Sequence, residues 1–224
     1  MVTHRPGVRQ PAPIRITPER PPMPATAIRG VIFDLDGTLV DSGLDFDQMR
    51  REMDLPPGQP LLEALATLDE PQASLCRQIL NRHEQAGAEQ ARLMPGVEEF
   101  LATLRARGIR QAVLTRNSRE VTLATLRRLA LEFDPVLTRE DAPVKPDPAA
   151  IWRICETWGL PRRDVVMLGD FYFDIEAGRR AGVRTVLYTD GGEPRGVRGH
   201  ELADFCLRSF REAGDLLAWL VEPA

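Results

Sequence analysis

Two aspartates separated by one residue follow a short apolar run near the start of the chain. They are Asp34 and Asp36 in the run Asp-Leu-Asp-Gly-Thr. Two carboxylates this close repel each other by roughly 4 kcal/mol at an effective dielectric near 20, and a bound cation or a proton on one of them relieves that repulsion. One carboxylate can attack phosphorus to give an acyl phosphate, and the other can protonate the leaving oxygen and then deprotonate water. An acidic β-turn without function is the alternative interpretation.

A second pair of aspartates follows another apolar run later in the chain. Asp170 comes directly after Val165–Gly169, and Asp174 lies four residues on, where the next helix is expected to begin. Carboxylate oxygens at such a junction suit Mg²⁺, which keeps several waters and shares a substrate phosphate. Asp174 can also simply cap the helix N-terminus, but capping leaves Asp170 unexplained.

Two further positions indicate phosphate binding. Thr115 ends an apolar run and precedes Ser118, where a helix begins, so a hydroxyl and free amides meet at one junction. Ser118 is equally consistent with a helix N-cap that has no catalytic role. Lys145 is the only lysine among 29 basic residues. A compact ammonium group, in place of the arginine used at every other basic position, suits a pocket that already holds carboxylates and a phosphate.

The elements that must position these residues alternate along the chain. Strands are predicted at 30–33, 111–114, 136–137, 165–168 and 185–188. Helices are predicted at about 96–107, 118–130, 147–158 and 173–181, and a last helix begins at the capping-box pattern Ser209–Glu212 and buries Leu216, Leu217 and Leu220. This alternation predicts an α/β protein with a Rossmann-like parallel sheet covered by helices on both faces. The candidate residues then lie at the carboxyl ends of the strands, where such sheets bind ligands.

Two segments interrupt the alternation. Residues 43–93 show helical periodicity without a convincing strand, which predicts a small all-helical cap inserted after the first strand, with apolar stripes as its core. Those stripes include Phe46 and Leu75. Residues 1–27 contain seven prolines and no periodic pattern, and we interpret them as a disordered Pro/Arg-rich tail; a cleaved targeting peptide is a weaker interpretation. The catalytic core would then comprise 28–42 and 94–224.

Composition narrows the class of protein. The chain has 224 residues, 43% hydrophobic and 28% charged, with a net charge of −4 and interspersed signs. These values fit a globular protein with a proper core and argue against nucleic-acid binding. Three scattered cysteines and the lack of any apolar run of about 20 residues predict a reduced, cytoplasmic protein without membrane contact. We expect a small-molecule partner and a monomer or small homo-oligomer.

The four candidate motifs closely resemble those of the haloacid dehalogenase superfamily, particularly its phosphoglycolate-phosphatase-like branch with a helical cap. Asp34 to Val40 is similar to the first motif, Thr115 to the second, Lys145 to the third, and Gly169-Asp170 with Asp174 to the fourth. The resemblance covers about residues 28–224.

This resemblance implies a role for each candidate residue. Asp34 would form the aspartyl-phosphate, and Asp36 would act as general acid and base while its backbone carbonyl reaches Mg²⁺. Thr115 and Lys145 would hold the phosphoryl group. Asp170 would ligate Mg²⁺ directly, with Asp174 assisting, so the implied metal set is Asp34, Asp36, Asp170 and Asp174.

The sequence departs from the family pattern at two places. Arg116 stands where the family often has Asn, and Asn117 follows one place later; both are candidate substrate-binding residues, although Arg116 is equally consistent with a solvent-facing position. Phe171-Tyr172-Phe173 replaces a stretch that is more usually small and polar. These aromatic residues either narrow the pocket or pack under the loop.

The resemblance favours a Mg²⁺-dependent phosphatase that acts on a small phosphate monoester such as phosphoglycolate. A sugar phosphomutase on the same core and a non-catalytic binding protein are the alternatives. Asp36 argues against a dehalogenase, which has little need for a second acid/base at that position.

Overall fold

The computed structural model describes residues 27–192 and 200–221, so the predicted tail lies outside the described residues except for Ala27. The strands in these ranges are β1 (Gly30–Phe33), β2 (Val40–Asp41), β3 (Arg92–Leu93), β4 (Arg110–Leu114), β5 (Val136–Leu137), β6 (Val165–Gly169), β7 (Arg184–Tyr188) and β8 (Phe205–Leu207). Six of them form one parallel sheet in the order β5-β4-β1-β6-β7-β8. The strands β2 and β3 pair separately and antiparallel.

Helices cover the sheet and fill the segment between β2 and β3. They are α1 (Phe46–Glu52), α2 (Leu61–Leu65), α3 (Gln72–Gln90), α4 (Val97–Ala106), α5 (Arg119–Arg128), α6 (Ala149–Trp158), α7 (Tyr172–Ala181) and α8 (Gly214–Trp219). Two apolar clusters pack against the sheet. One contains buried residues of α4 and α8 together with Phe33 and Leu168, and the other contains buried residues of α6 and α7 together with Ile32 and Met167. Neighbouring strand residues thus point into different clusters, which is the side-chain alternation of a sheet covered on both faces.

The α/β fold class predicted from the sequence is confirmed. Each predicted strand is present within one residue of its expected ends, because short β-branched runs with both faces buried specify parallel strands. No strand is predicted from the sequence at β2, β3 or β8, which are two or three residues long.

The last helix begins later than predicted. The Ser209 hydroxyl accepts a hydrogen bond from the Arg211 N–H, only two residues on, and opens a 3₁₀ turn at Phe210–Glu212. The α-helix itself starts at Gly214. Its Leu216 is buried as predicted, whereas Leu217 is only partly buried.

The segment between β2 and β3 has its own apolar cluster, in which Met49 and Met53 of the α1 region meet Ile79 and Leu80 of α3. The prediction that every residue of the apolar stripes is core was wrong for Phe46 and Leu75, which are 48% and 56% exposed. Leu75 lies about 140° around the helix from Leu80, on the opposite face of α3. Phe46 is the first residue of α1. A helix that buries only one face leaves apolar residues of its other face, or at its end, exposed.

No helix within the described ranges is both long enough and apolar enough to cross a bilayer.

We expect Gly178→Ala to destabilise the protein. A Cβ at Gly178, on the buried face of α7, would lie 2.5 Å from Thr185 Cγ2 and 3.1 Å from Met167 Cβ, both in buried strands. Helix propensity favours alanine by about 1 kcal/mol, but overpacking a core costs about 1–3 kcal/mol, and the stiff Thr185 side chain cannot yield easily. Urea denaturation should therefore give a lower free energy of unfolding.

The matched control is Gly214→Ala at the start of α8, where a Cβ would meet no atom within 4 Å. This variant should be as stable as the parent or slightly more so. Equal stability of the parent and Gly178→Ala would contradict the proposed packing.

Candidate active site

The centre of the candidate site is set by the pairing of two neighbouring buried strands. Phe33 of β1 lies opposite Leu168 of β6, and the Asp34 N–H donates to the Leu168 carbonyl at 2.9 Å. Asp34 and Asp170 therefore leave the same edge of the sheet side by side. One carboxylate oxygen from each of Asp34, Asp170 and Asp174 lies within 4.8 Å of the corresponding oxygens of the other two.

Lys145 brings the positive charge to this group of carboxylates. It lies between β5 and α6, is 2% exposed, and its Nζ donates to Asp34 Oδ1 at 2.5 Å and to Asp174 Oδ1 at 2.6 Å. Burial opposes the charged form, but the carboxylates of Asp174 and Asp34 outweigh it, so the pKa of Lys145 is raised. Lys145 is thus held as a cation.

Burial and mutual repulsion make the carboxyl groups of this cluster easier to protonate than ordinary aspartates. Burial raises the pKa of Asp34 well above its usual range; the Lys145 charge lowers it, while Asp174 and Asp170 raise it further. Burial, followed by repulsion from Asp174, raises the pKa of Asp170 to about 7. Three carboxyl groups thus face a single ammonium group, and when all three are ionised the cluster carries excess negative charge. Hard oxygen donors with unbalanced negative charge are the ligand set that suits a divalent cation.

Asp174 serves the fold and the cluster at once. Its Oδ2 accepts from the Phe171 N–H at 3.1 Å and so satisfies a free amide at the start of α7, while Oδ1 faces Lys145. Gly169 permits the close approach, because a Cβ there would lie 2.2 Å from Asp174 Cγ. The capping interpretation and the site interpretation of Asp174 are therefore compatible.

Asp36 lies beside the cluster and contacts the loop that follows β4. Its Oδ2 accepts from Asn117 Nδ2 at 2.5 Å, and the Asn117 backbone N–H donates to Thr115 Oγ1 at 3.1 Å. Burial raises the pKa of Asp36, and hydrogen bonds from Ser42 and Asn117 partly oppose this effect. Ser118 is the N-cap of α5, where its side chain accepts from the Val121 N–H, as one of the two interpretations predicted.

Arg116, in the loop after β4, contacts both a neighbouring loop of the sheet and the helical segment at 46–90. Its Nη2 donates to Glu63 Oε2 of α2 at 2.6 Å, its Nη1 donates to the Lys145 carbonyl, and its Cζ lies 4.3 Å from the centre of the Phe173 ring. The Arg116 side chain is about four-fifths buried. It is not a free solvent-facing group; in this conformation its partners are protein groups.

The aromatic run at 171–173 consists of one exposed residue and two partly buried ones. Phe171 is 52% exposed, and its ring centre lies 5.2 Å from that of Phe173, which packs under Arg116. Phe173 therefore packs under the loop, whereas Phe171 does not.

Four residues near the site were not singled out from the sequence. Thr38 donates to Asp170 Oδ1 at 3.3 Å, Glu63 pairs with Arg116, and Glu84 pairs with Arg139. A signal existed for Glu84, because it stands four residues after Leu80 and four before Ala88 on the apolar face of α3, where an unpaired charge is rare.

The comparisons with known proteins agree with the motifs. A family model described as haloacid dehalogenase-like hydrolase matches residues 45–188, a range that contains Thr115, Lys145, Asp170 and Asp174 and begins after the Asp34 motif. The chain is 31% identical over 214 residues to an N-acetylmuramic acid 6-phosphate phosphatase of Pseudomonas aeruginosa, covering 85% of this chain and 95% of that protein.

A phosphoglycolate phosphatase of Nitrosospira multiformis is 32% identical over 182 residues, which cover 69% of this chain and 80% of that protein. The fold is also similar to that of a hydrolase from Pseudomonas syringae, with a TM-score of 0.71 and 22% identity over 86% of this chain and 99% of that one. This chain belongs to the haloacid dehalogenase-like hydrolase family, and the family predicted from its motifs is confirmed.

The raised pKa of Asp170 predicts how the stability of the metal-free protein depends on pH. The folded state holds the Asp170 proton up to about pH 7, against 3.8 for the ordinary group. This group's contribution to stability is therefore fully present below about pH 4 and is lost as the pH rises through 7. In EDTA at pH 8, Asp170→Asn should raise the free energy of unfolding by on the order of 2 kcal/mol, with little change at pH 4.

Denaturant titrations at the two pH values measure this difference. Asp69→Asn, at an exposed position, is the control and should change little at either pH. If Asp170→Asn had the same effect at pH 4 and pH 8, repulsion within the cluster would not explain it.

Proposed function

We propose that the protein is a Mg²⁺-dependent phosphatase that hydrolyses a small-molecule phosphate monoester through an aspartyl-phosphate on Asp34. The observation that carries the proposal is the Asp34–Lys145–Asp174 arrangement beside Asp170, which combines a nucleophile, a phosphate-binding cation and surplus carboxylates at one sheet edge. The names of the two enzyme relatives, both phosphatases, support the same class of reaction.

The first half of the reaction transfers the phosphoryl group to the enzyme. An Asp34 carboxylate oxygen attacks phosphorus, the bond from phosphorus to the substrate oxygen breaks, and Asp36 gives its proton to that leaving oxygen. Burial raises the pKa of Asp36, which favours the protonated form that this step requires. In this proposal Lys145, Thr115 and Asn117 hold the phosphoryl oxygens. The contact of Lys145 with Asp34 and the hydrogen bond that joins Asn117 to Thr115 support this assignment.

The second half returns the enzyme to its starting state. Asp36, now a carboxylate, takes a proton from a water molecule, and the hydroxide attacks phosphorus. The bond to Asp34 breaks, and inorganic phosphate leaves. Asn117 Nδ2, which donates to Asp36 Oδ2, orients the carboxyl for both proton transfers.

The residues that would hold Mg²⁺ are the carboxylates of Asp34, Asp170 and Asp174 together with the backbone carbonyl of Asp36. When bound, the ion supplies positive charge against the phosphoryl oxygens as negative charge redistributes. Thr38 donates to Asp170 Oδ1 and so fixes the orientation of that carboxylate.

We further propose that residues 43–93 act as a cap over a core of residues 28–42 and 94–224. Two observations support this division. The segment has its own apolar cluster, and the antiparallel pair β2 and β3 connects its two ends to the core. The free cysteines Cys76, Cys155 and Cys206 fit the reducing environment of a cytoplasmic location.

Asp34→Asn tests the proposed mechanism. An amide is a poor nucleophile, so the rate of phosphate release in Mg²⁺ should fall by about a thousandfold or more. The measurement is inorganic phosphate released from a panel of phosphate monoesters. Asp41→Asn, at an exposed position in β2, is the control and should retain the parent rate.

Two outcomes would contradict the proposal. Activity that survived Asp34→Asn would rule out the aspartyl-phosphate on this residue. Isomerised sugar phosphate without released phosphate would identify a phosphomutase on the same core.

Removal of Mg²⁺ by EDTA should abolish turnover, and adding Mg²⁺ back should restore it.

The proposed substrate is a small anionic phosphate ester such as phosphoglycolate. Relatives of nearly equal identity are named for N-acetylmuramic acid 6-phosphate and for phosphoglycolate, so identity alone does not choose between them. Arg116 is the candidate for recognising a substrate carboxylate, and it would have to exchange Glu63 for the substrate.

Arg116→Ala tests this role. The KM for phosphoglycolate should rise by about tenfold, because one charge-assisted hydrogen bond to the carboxylate is lost, while the KM for p-nitrophenyl phosphate, which has no carboxylate, should change little. Steady-state kinetics with both substrates make the comparison. Arg119→Ala, which removes an exposed arginine paired with Asp141, is the control. An equal change for both substrates would remove Arg116 from substrate recognition.

A further inference from the structure

Glu84 is a buried carboxylate outside the group of residues that perform the proposed chemistry. It lies in α3 and is 3% exposed, and among the charged residues of 43–93, all of which the structure describes, it is the only buried one. Burial raises the pKa of its carboxyl, and the Arg139 charge opposes that rise. A charge in such a position costs stability unless it is paired and hydrogen-bonded, so its partners indicate what it does.

The partners of Glu84 belong to the loops at the sheet edge. Its Oε1 accepts from Arg139 Nη1, and its Oε2 lies 3.5 Å from the Ser118 N–H. Arg139 follows β5, its side chain is 17% exposed, and its Nη2 also donates to Asn81 of α3 at 3.2 Å. The pair therefore joins α3 to the loop regions after β4 and β5.

The same pair holds three consecutive residues of the loop after β4. Arg139 Nη1 donates to the Arg116 carbonyl at 3.3 Å, and the Arg139 backbone N–H donates to the Asn117 carbonyl at 3.2 Å. Glu84 Oε2 accepts a hydrogen bond from the Ser118 N–H. The backbone on both sides of Asn117 is thus fixed by Glu84 and Arg139.

Asn117 is the residue in this loop that contacts the proposed general acid. Its Nδ2 donates to Asp36 Oδ2 at 2.5 Å. A hydrogen-bonded path therefore runs from α3 through Glu84 and Arg139 to Asn117 and from there to Asp36. Its first member lies on the proposed cap and its last member on the core.

We propose that Glu84 and Arg139 are positioning residues which, when α3 packs against the core, fix the loop at 116–118 so that Asn117 orients Asp36 for proton transfer. The inference rests on the proposed phosphatase function. It makes correct orientation of the general acid depend on docking of the cap, through an ion pair that neither touches the phosphate nor contributes a metal ligand.

The consequence to measure is a dependence on the leaving group. An alkoxide leaving group needs a proton from Asp36 as the bond to phosphorus breaks, whereas a dinitrophenolate is stable without one. A displaced Asp36 therefore slows the first substrate and spares the second. A general loosening of the cap would slow both alike.

The experiment compares kcat/KM for an alkyl phosphate and for 2,4-dinitrophenyl phosphate, since this constant reports the steps up to loss of the leaving group. Glu84→Gln should lower kcat/KM for the alkyl phosphate by about tenfold, part of the 10²–10⁴ that a general acid contributes, and change the aryl ester less than about twofold. Asp36→Asn, the reference variant, should show the same selectivity with a larger loss.

Glu52→Gln is the matched control. Glu52 also pairs with an arginine and a histidine of α3, Arg82 and His83, but all three lie within the helical segment at 46–90. Both substrates should be turned over by this variant at the parent rates. Circular dichroism and thermal unfolding establish that each variant is folded.

A second variant keeps the test decisive if Glu84→Gln does not fold. Arg139→Lys retains the charge but loses the guanidinium fork that spans Glu84, Asn81 and the Arg116 carbonyl. It should show the same selective loss. The double variant Arg139→Lys/Asn117→Ala should be no slower on the alkyl phosphate than Asn117→Ala alone. Both substitutions interrupt the same hydrogen-bonded path, so their effects should not add.

An equal loss on both substrates, or no loss on either, would overturn the positioning role and leave the proposed function intact. A parent enzyme that hydrolyses neither ester in Mg²⁺ would overturn the proposed function and this inference with it.

Discussion

Carboxylates of Asp34, Asp170 and Asp174 are crowded at one edge of the sheet, and a single ammonium group, that of Lys145, contacts two of them. Like charges at this separation stay together only where the backbone prevents them from moving apart. The parallel pairing of β1 with β6, two buried neighbouring strands, supplies that restraint. The glycines at 37 and 169 then allow the side chains of Asp170 and Asp174 to approach the backbone more closely than a Cβ would permit.

The rest of the molecule is arranged around that edge. The helical segment between β2 and β3 has a separate apolar cluster, so it can pack as a unit against the loops of the core. Its contacts there include two ion pairs, one from Glu63 to Arg116 and one from Glu84 to Arg139. Ion pairs of this kind fix orientation more than they add stability, since much of the electrostatic gain offsets desolvation. The loop after β4 is therefore contacted by both parts of the chain.

How far the sequence predicts this structure differs between backbone and side chains. Buried strands of four or five residues have a clear apolar signature, and parallel strands necessarily bring their carboxyl ends together, so Asp34, Thr115 and Asp170 could be assigned to one edge. The pairing of Arg116 with Glu63 could not, because the two are 53 residues apart and meet only when α2 packs against the core. Exposure of Phe46 and Leu75 was missed for the same reason, since periodicity identifies an apolar stripe without showing how much of it a small partner covers.

The position of Lys145 has a practical consequence for studying the molecule. It is the chain's only lysine, and it is almost completely enclosed. Amine-directed reagents, such as succinimidyl esters used for labelling or cross-linking, therefore find no accessible lysine side chain on the folded surface. Modification of Lys145 requires the residues packed around it to move apart. The rate at which Lys145 is labelled therefore measures the rate or extent of that opening. Because every other position among the Lys and Arg residues is arginine, Lys145 is the one side-chain amine that such a reagent can report on.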